Sequence, residues 1–152
     1  MKIRPGFTLI ELLVTSAIIM ILAGSGLAAY NNFNDKQTLD AAAAELKNNL
    51  RMARSWAMTV KKVACTTDVS GGYKVNFDVS DGDYGIKEMC GSNEVGSWQN
   101  FSYPQGVSDD YNGNFIFKPL TGETGVDAIT IALTLKLLEP KKVTIKTNGE
   151  IE

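Results

Sequence analysis

Gly6-Phe7-Thr8-Leu9-Ile10-Glu11-Leu12-Leu13-Val14 is the stretch that decides how this chain is read. Lys2 and Arg4 stand ahead of it as a short basic leader, and apolar residues continue behind it to Tyr30. Glu11 is the only formal charge between Phe7 and Tyr30. A lone carboxylate near the start of a membrane-length helix is costly, so it needs a partner and a role. As a helix, the segment from Phe7 to Tyr30 would reach ~36 Å, enough to cross a bilayer. Lys2 and Arg4 then predict a cytoplasmic leader with the C-terminal residues outside. In a secretory signal the cleavage site follows the apolar core at small residues; here Gly6 precedes it.

The string from Gly6 to Val14 resembles the processing site of type IV prepilins and type II secretion pseudopilins. The resemblance implies a leader over residues 1–6, cut between Gly6 and Phe7 by a prepilin peptidase that also N-methylates Phe7. The apolar helix, residues 7–30, stays on the mature chain. It first holds the subunit in the inner membrane as a single pass, and then forms filament core in an extracellular or periplasmic fibre. In the family the glutamate matching Glu11 pairs with the N-terminal amine of a neighbouring subunit during assembly. Each charge is expensive in lipid, and pairing lowers that cost. The implied partners are the peptidase, other pilin or pseudopilin subunits, the inner-membrane assembly platform and membrane lipid. The family often has a proline near residue 28, where this chain has Ala28; Gly24 and Gly26 are candidates to loosen the helix in its place.

Beyond the membrane segment, neither proline nor glycine occurs between Gly26 and Gly71. Good helix formers dominate from Asn34 to Val60. Leu39, Ala43, Leu46, Leu50, Ala53, Ala57 and Val60 recur at alternating spacings of four and three, one apolar seam along a helix. Such a seam serves either a coiled-coil contact or the packing of a small β-domain, and missing e/g charge pairing favours the domain. Trp56 and Met52 belong to the same face. Residues 31–62 are therefore read as an amphipathic stalk helix. The stretch Leu46-Lys47-Asn48-Asn49-Leu50-Arg51-Met52-Ala53-Arg54-Ser55-Trp56-Ala57 resembles a second signature, that of H-type minor pseudopilins and the related minor pilin T.

Residues 63–152 change to a period of two. Tyr73, Val75, Phe77 and Val79 alternate with polar residues, as do Ile129, Ile131, Leu133, Leu135 and Leu137. Val143 and Ile145 follow Glu139-Pro140 and run to an Asn148-Gly149 turn, predicting a C-terminal hairpin. Phe115-Ile116-Phe117 and Val63-Ala64-Cys65 are shorter strand candidates. Loops are expected at 68–72, 80–85, 91–97 and 106–114. The fold class is α+β: a long N-terminal helix, half in the membrane and half amphipathic, packed on a small antiparallel β-sheet domain. Cys65 and Cys90 are the only cysteines. Placed outside the membrane they can form a disulfide, contributing ~3 kcal/mol in the chain-entropy model; two separate buried thiols is the alternative.

Composition excludes much. The chain has 152 residues, 44% hydrophobic, a formal net charge of −2 and no histidine. That removes the commonest general base and transition-metal ligand. No nucleophile elbow, Walker loop or Cys-x-x-Cys is present, so no enzyme and no cofactor are expected. Asp78-Val79-Ser80-Asp81-Gly82-Asp83 departs from the EF-hand order and reads as a tight turn, with no metal. Lys141, Lys142 and Lys146 could meet phosphate, but Glu150 and Glu152 would repel it, which argues against nucleic acid. Residues 31–62 carry six Lys/Arg against three Asp/Glu, and residues 63–113 two against eight. The expected function is structural: a minor pilin or H-like pseudopilin. A major pilin, or a filament-tip module engaging DNA or secreted substrate, is the alternative.

Overall fold

The computed structural model describes residues 7–66, 70–78 and 83–152, with the backbone alone for residues 25–29, 70, 78 and 83. The leader with Gly6, the side chains of Gly26 and Ala28, and the centre of the Asp78–Asp83 turn lie outside what is described. The chain divides into two compact units, Met1–Gln37 and Thr38–Glu152.

One helix, α1 (Leu9–Met58), is followed by β1 (Ser70–Asp78), β2 (Asp83–Cys90), β3 (Asn93–Phe101), β4 (Val107–Asp109), β5 (Gly113–Phe117), β6 (Ile129–Leu135) and β7 (Lys141–Ile145). Thr8 and Glu11 start α1 with a reciprocal cap. The Glu11 amide donates to Thr8 Oγ1 at 3.3 Å, while the Thr8 amide and hydroxyl donate to Glu11 Oε2 at 3.1 and 3.0 Å. Two orphan donors of the first turn are satisfied this way. At the far end the Lys61 amide donates to the Trp56 carbonyl (3.0 Å) and the Val60 amide to that of Ala57 (3.1 Å). This is a Schellman stop, with Val60 at φ 51° in the left-handed position that glycine usually fills. Lys61 covers Trp56, its Nζ 4.5 Å from the ring centroid.

In the unit Thr38–Glu152 the strands form two antiparallel sheets, ordered β3-β2-β1-β5 and β4-β6-β7. The apolar seam of α1 supplies Leu39, Ala43, Leu46, Leu50, Ala53 and Ala57 to one core, all buried. They join Val75 and Phe77 of β1, Phe115 and Phe117 of β5, Ile131, Leu133 and Leu135 of β6, and Val143 and Ile145 of β7. The seam is thus a domain-packing face. Its alanines admit strands close to the helix axis, and its leucines fill the space between them.

Three readings are corrected here. Residues 91–97, expected as a loop, lie largely within β3, and β2 occupies 83–90. Val63-Ala64-Cys65, expected as a strand, is a non-strand segment. The long strand ends at Leu135 because Lys136 turns to φ 53°, which leaves Leu137 outside the alternation and wholly exposed.

Three of the four sheet edges are individually managed. Between the pairs Ile86↔Gln99 and Glu88↔Val95 the outer strand β3 carries three residues against one on β2, a bulge with Gly96 at φ 72°. Strand β4 is three residues long. The edge of β7 is closed by the chain's own end: Thr144 and Glu152 exchange backbone hydrogen bonds of 3.1 and 2.9 Å, and Ile151 bridges Ile145. Gly149, at φ 77°, makes the return turn; a Cβ there would overlap the Gly122 carbonyl oxygen.

Candidate functional site

The chemistry expected of this chain concentrates in its first described turn. Phe7 is exposed and precedes α1; Thr8 and Glu11 form the cap just described. Thr8 at the N-cap and Glu11 at N3 follow the S/T-x-x-E spacing, so Glu11 is held by its own helix start. Leu9, Ile10, Leu12, Leu13, Val14, Ile18, Ile19, Met20, Ile21 and Leu22 are all exposed large hydrophobics, a continuous apolar surface around one charge. Gly24 has no heavy atom within 4 Å of the place a Cβ would take. Among the described residues no helix is long and apolar enough to cross a membrane.

The second expected pair is in the other unit. Cys65 and Cys90 are joined as a disulfide, their Cα atoms 5.4 Å apart. It ties the segment after α1 to the end of β2. Sequence reasoning missed the group that acts beside it. Glu88, on β2 and buried, accepts the amides of Val63 and Ala64 on Oε2 (2.9 and 2.8 Å) and that of Cys65 on Oε1 (3.4 Å). Three successive N–H groups converging on one carboxylate satisfy both the donors and the buried charge. The signal available in sequence was a glutamate breaking an apolar pattern beside Met89.

A cavity of about 310 Å³ opens beside this clamp, lined by Trp56, Lys61, Tyr73, Glu88, Val95 and Gly96 among others. Two of its polar groups are engaged in the fold. Glu88 holds three amides, and the Tyr73 hydroxyl donates to the Lys61 carbonyl at 2.9 Å. Burial, together with the Glu88 charge, raises the Tyr73 pKa. Tyr84, deeper in the core, is pushed up to about 12 by burial although Asn49 Nδ2 donates to its hydroxyl at 2.8 Å. These are groups held neutral by packing.

Two basic residues near the C-terminus are also matched. Lys141 pairs with Asp40 at 2.8 Å, and Lys146 with Glu150 at 3.2 Å and with Glu152. Glu152 first, and Glu150 with it, raise the Lys146 pKa, and Lys146 lowers that of Glu150. Arg51 and Arg54 of α1 donate to the carbonyls of Ile151 (3.1 Å) and Asn148 (3.0 Å), fastening the C-terminal return to the helix. Among the described residues, no group of three or more His, Cys, Asp or Glu is placed to hold a metal ion.

Residues 1–27 match the family model described as the prokaryotic N-terminal methylation motif. The fold resembles the structure of the minor pseudopilin EpsH from the type 2 secretion system of Vibrio cholerae. The TM-score is 0.53 at 16% sequence identity, over 75% of this chain and 94% of that one. At that identity the likeness speaks for the fold: a helix packed on antiparallel sheets, α+β. The chain thus carries an N-terminal methylation motif ahead of a fold like that of a minor pseudopilin.

Proposed function

We propose that this chain is a minor, H-like structural subunit of a type IV pilus or type II secretion filament. The methylation motif over residues 1–27 is the observation that carries the reading. In it, a prepilin peptidase removes residues 1–6 by cutting between Gly6 and Phe7 and then methylates the new Phe7 amine. Residues 7–30 hold the subunit in the inner membrane with the domain outside, and then pack against the same segment of other subunits at the assembly platform. Glu11 exchanges its capping partners at Thr8 for a neighbour's N-terminal amine. The capping hydrogen bonds support this route, since they give the carboxylate a partner while it waits.

The minor-subunit reading draws on the fold resemblance and on the α1 stretch from Leu46 to Ala57. Two of the three lysines considered for phosphate, Lys141 and Lys146, are matched by Asp40, Glu150 and Glu152, which weighs against a DNA-binding tip. N-terminal peptide mass spectrometry on sheared filaments and membranes of the native cells tests the reading. A peptide beginning at N-methylated Phe7, at trace stoichiometry in filaments, is the expected result. Near-unit stoichiometry would make the chain a major pilin. An intact Met1 leader in cells with active peptidase refutes the proposal. A Glu11→Ala chain should still be cleaved but fail to enter filaments.

A further inference from the structure

The hairpin joining β6 to β7 carries an unusual tip. Leu137 exposes its whole surface (103%), held out by the left-handed turn at Lys136 (φ 53°). Leu138 packs back on the core, and its amide donates to the Leu135 carbonyl at 3.1 Å, so the base of the loop is fixed. Residues 136–142 read Lys-Leu-Leu-Glu-Pro-Lys-Lys, three lysines against one glutamate. Lysines thus outnumber the single glutamate, Glu139, in the stretch around the leucine, and Lys141 also reaches Asp40.

Two contacts give the direction of this hairpin along the Thr38–Met58 part of α1. Ile145 bridges Ile151, whose carbonyl is held by Arg51; four residues earlier, Lys141 is held by Asp40. Passing from Ile145 to Lys141 covers ~13 Å of strand, and from Arg51 to Asp40 ~16 Å of helix. The hairpin therefore runs toward the N-terminal end of that helical segment, and the tip at Leu137 continues past Lys141 in the same sense. Asp40 lies only ten residues after Tyr30, the end of the apolar segment, a tether of about 35 Å even fully extended.

We infer that the 136–142 tip is an interfacial membrane contact: Leu137 enters the headgroup boundary of an anionic lipid leaflet while Lys136 and Lys142 meet lipid phosphates. An apolar side chain flanked by lysines is the composition that such a boundary takes up. The short tether keeps the loop at high effective concentration near the surface. This inference rests on the membrane-anchored reading above. It adds a second contact that would orient the domain on the membrane before assembly.

The test uses the full chain in lipid nanodiscs, with an environment-sensitive fluorophore on Leu137→Cys or, as control, Leu120→Cys. The native cysteines are bonded to each other and do not compete for label. Leu120 is exposed and its amide meets the Ala57 carbonyl, so it marks the opposite end of the domain. In discs containing phosphatidylglycerol, position 137 should be blue-shifted and quenched by headgroup spin-labelled lipid, and position 120 should not. Lys136→Gln and Lys142→Gln should each shift the engaged fraction about fivefold toward release. Equal, weak quenching at both positions in a chain that stays in the disc overturns the inference and leaves the anchor intact. Thiol crosslinks between two copies at position 137, without quenching, assign the tip to a second subunit and also overturn it. A chain that does not enter discs at all refutes the anchor and this inference together.

Discussion

Glu88 offers the sharpest test of how the domain is held at the exit of α1. Glu88→Ala would remove the acceptor for three amides: Val63 (2.9 Å), Ala64 (2.8 Å) and Cys65 (3.4 Å). A hydrogen bond to a charged group is worth ~1.5 kcal/mol at the low end of its range, and the longest of the three less. Val63 and Ala64 are exposed enough for water to take over part of the role, whereas Cys65 is buried. The expected loss is therefore about 3 kcal/mol, or about 10 °C in Tm for a unit of this size. Glu88→Gln keeps one carbonyl oxygen for Val63 and Ala64 but turns an NH₂ donor toward the Cys65 amide, so it should cost less, about 1–2 kcal/mol. The assay is thermal unfolding of the full chain in detergent, with hydrogen exchange read at residues 63–65. Those amides should lose protection in the alanine variant. The cost should shrink when the Cys65–Cys90 disulfide is reduced, because the released segment can then turn its N–H groups to water. A Glu88→Ala chain within 0.5 kcal/mol of the parent, with unchanged protection at 63–65, would refute the clamp.

Other consequences are equally direct. Leu50→Ala, at a position with no exposed surface, should cost ~3–5 kcal/mol in chemical unfolding, as expected where a tightly packed seam cannot collapse into the cavity. Gly72→Ala should prevent stable folding, seen as loss of the cooperative transition: Gly72 sits at φ 92°, and a Cβ would overlap the Phe117 carbonyl oxygen. The C-terminal return should loosen in acid. Its hydrogen bond to Lys146 holds Glu150 below 4.5, so the stabilisation is fully present above pH 4.5 and is lost as pH falls through the depressed value. Exchange at Thr144 and Lys146 should speed up in that window, and Lys146→Met should weaken the pH dependence, leaving the part due to Asn148 and Arg54.

The helical half of this fold was legible because its information is local. The seam from Leu39 to Ala57 repeats over five turns, and each residue of it is buried where the spacing places it. The sheets were harder to read because strand signals are short and interrupted. Strand β3 is an edge strand with a bulge at its centre and mostly exposed residues, so alternation fails and its glycine and asparagines imitate a loop. Leu137 was misplaced because alternation continues in sequence after Lys136 has turned the chain. Among site residues, Phe7, Glu11 and the cysteines stand out by type and surroundings. Glu88, Arg51 and Arg54 do not, since their partners lie 23 to 100 residues away and only the fold brings them together. The cap at Thr8 is legible in its S/T-x-x-E spacing to Glu11.

Three of the four sheet margins are guarded, which bears on how the domain behaves in a crowd. A bulge on β3, a three-residue β4 and a chain end folded over β7 leave little backbone for a stranger's strand to join. Packed side by side at high density, these domains can touch without zipping into one another. In a filament of the proposed kind, growth would fall to the apolar N-terminal segment, and withdrawing helices would take the fibre apart with every domain leaving as it arrived.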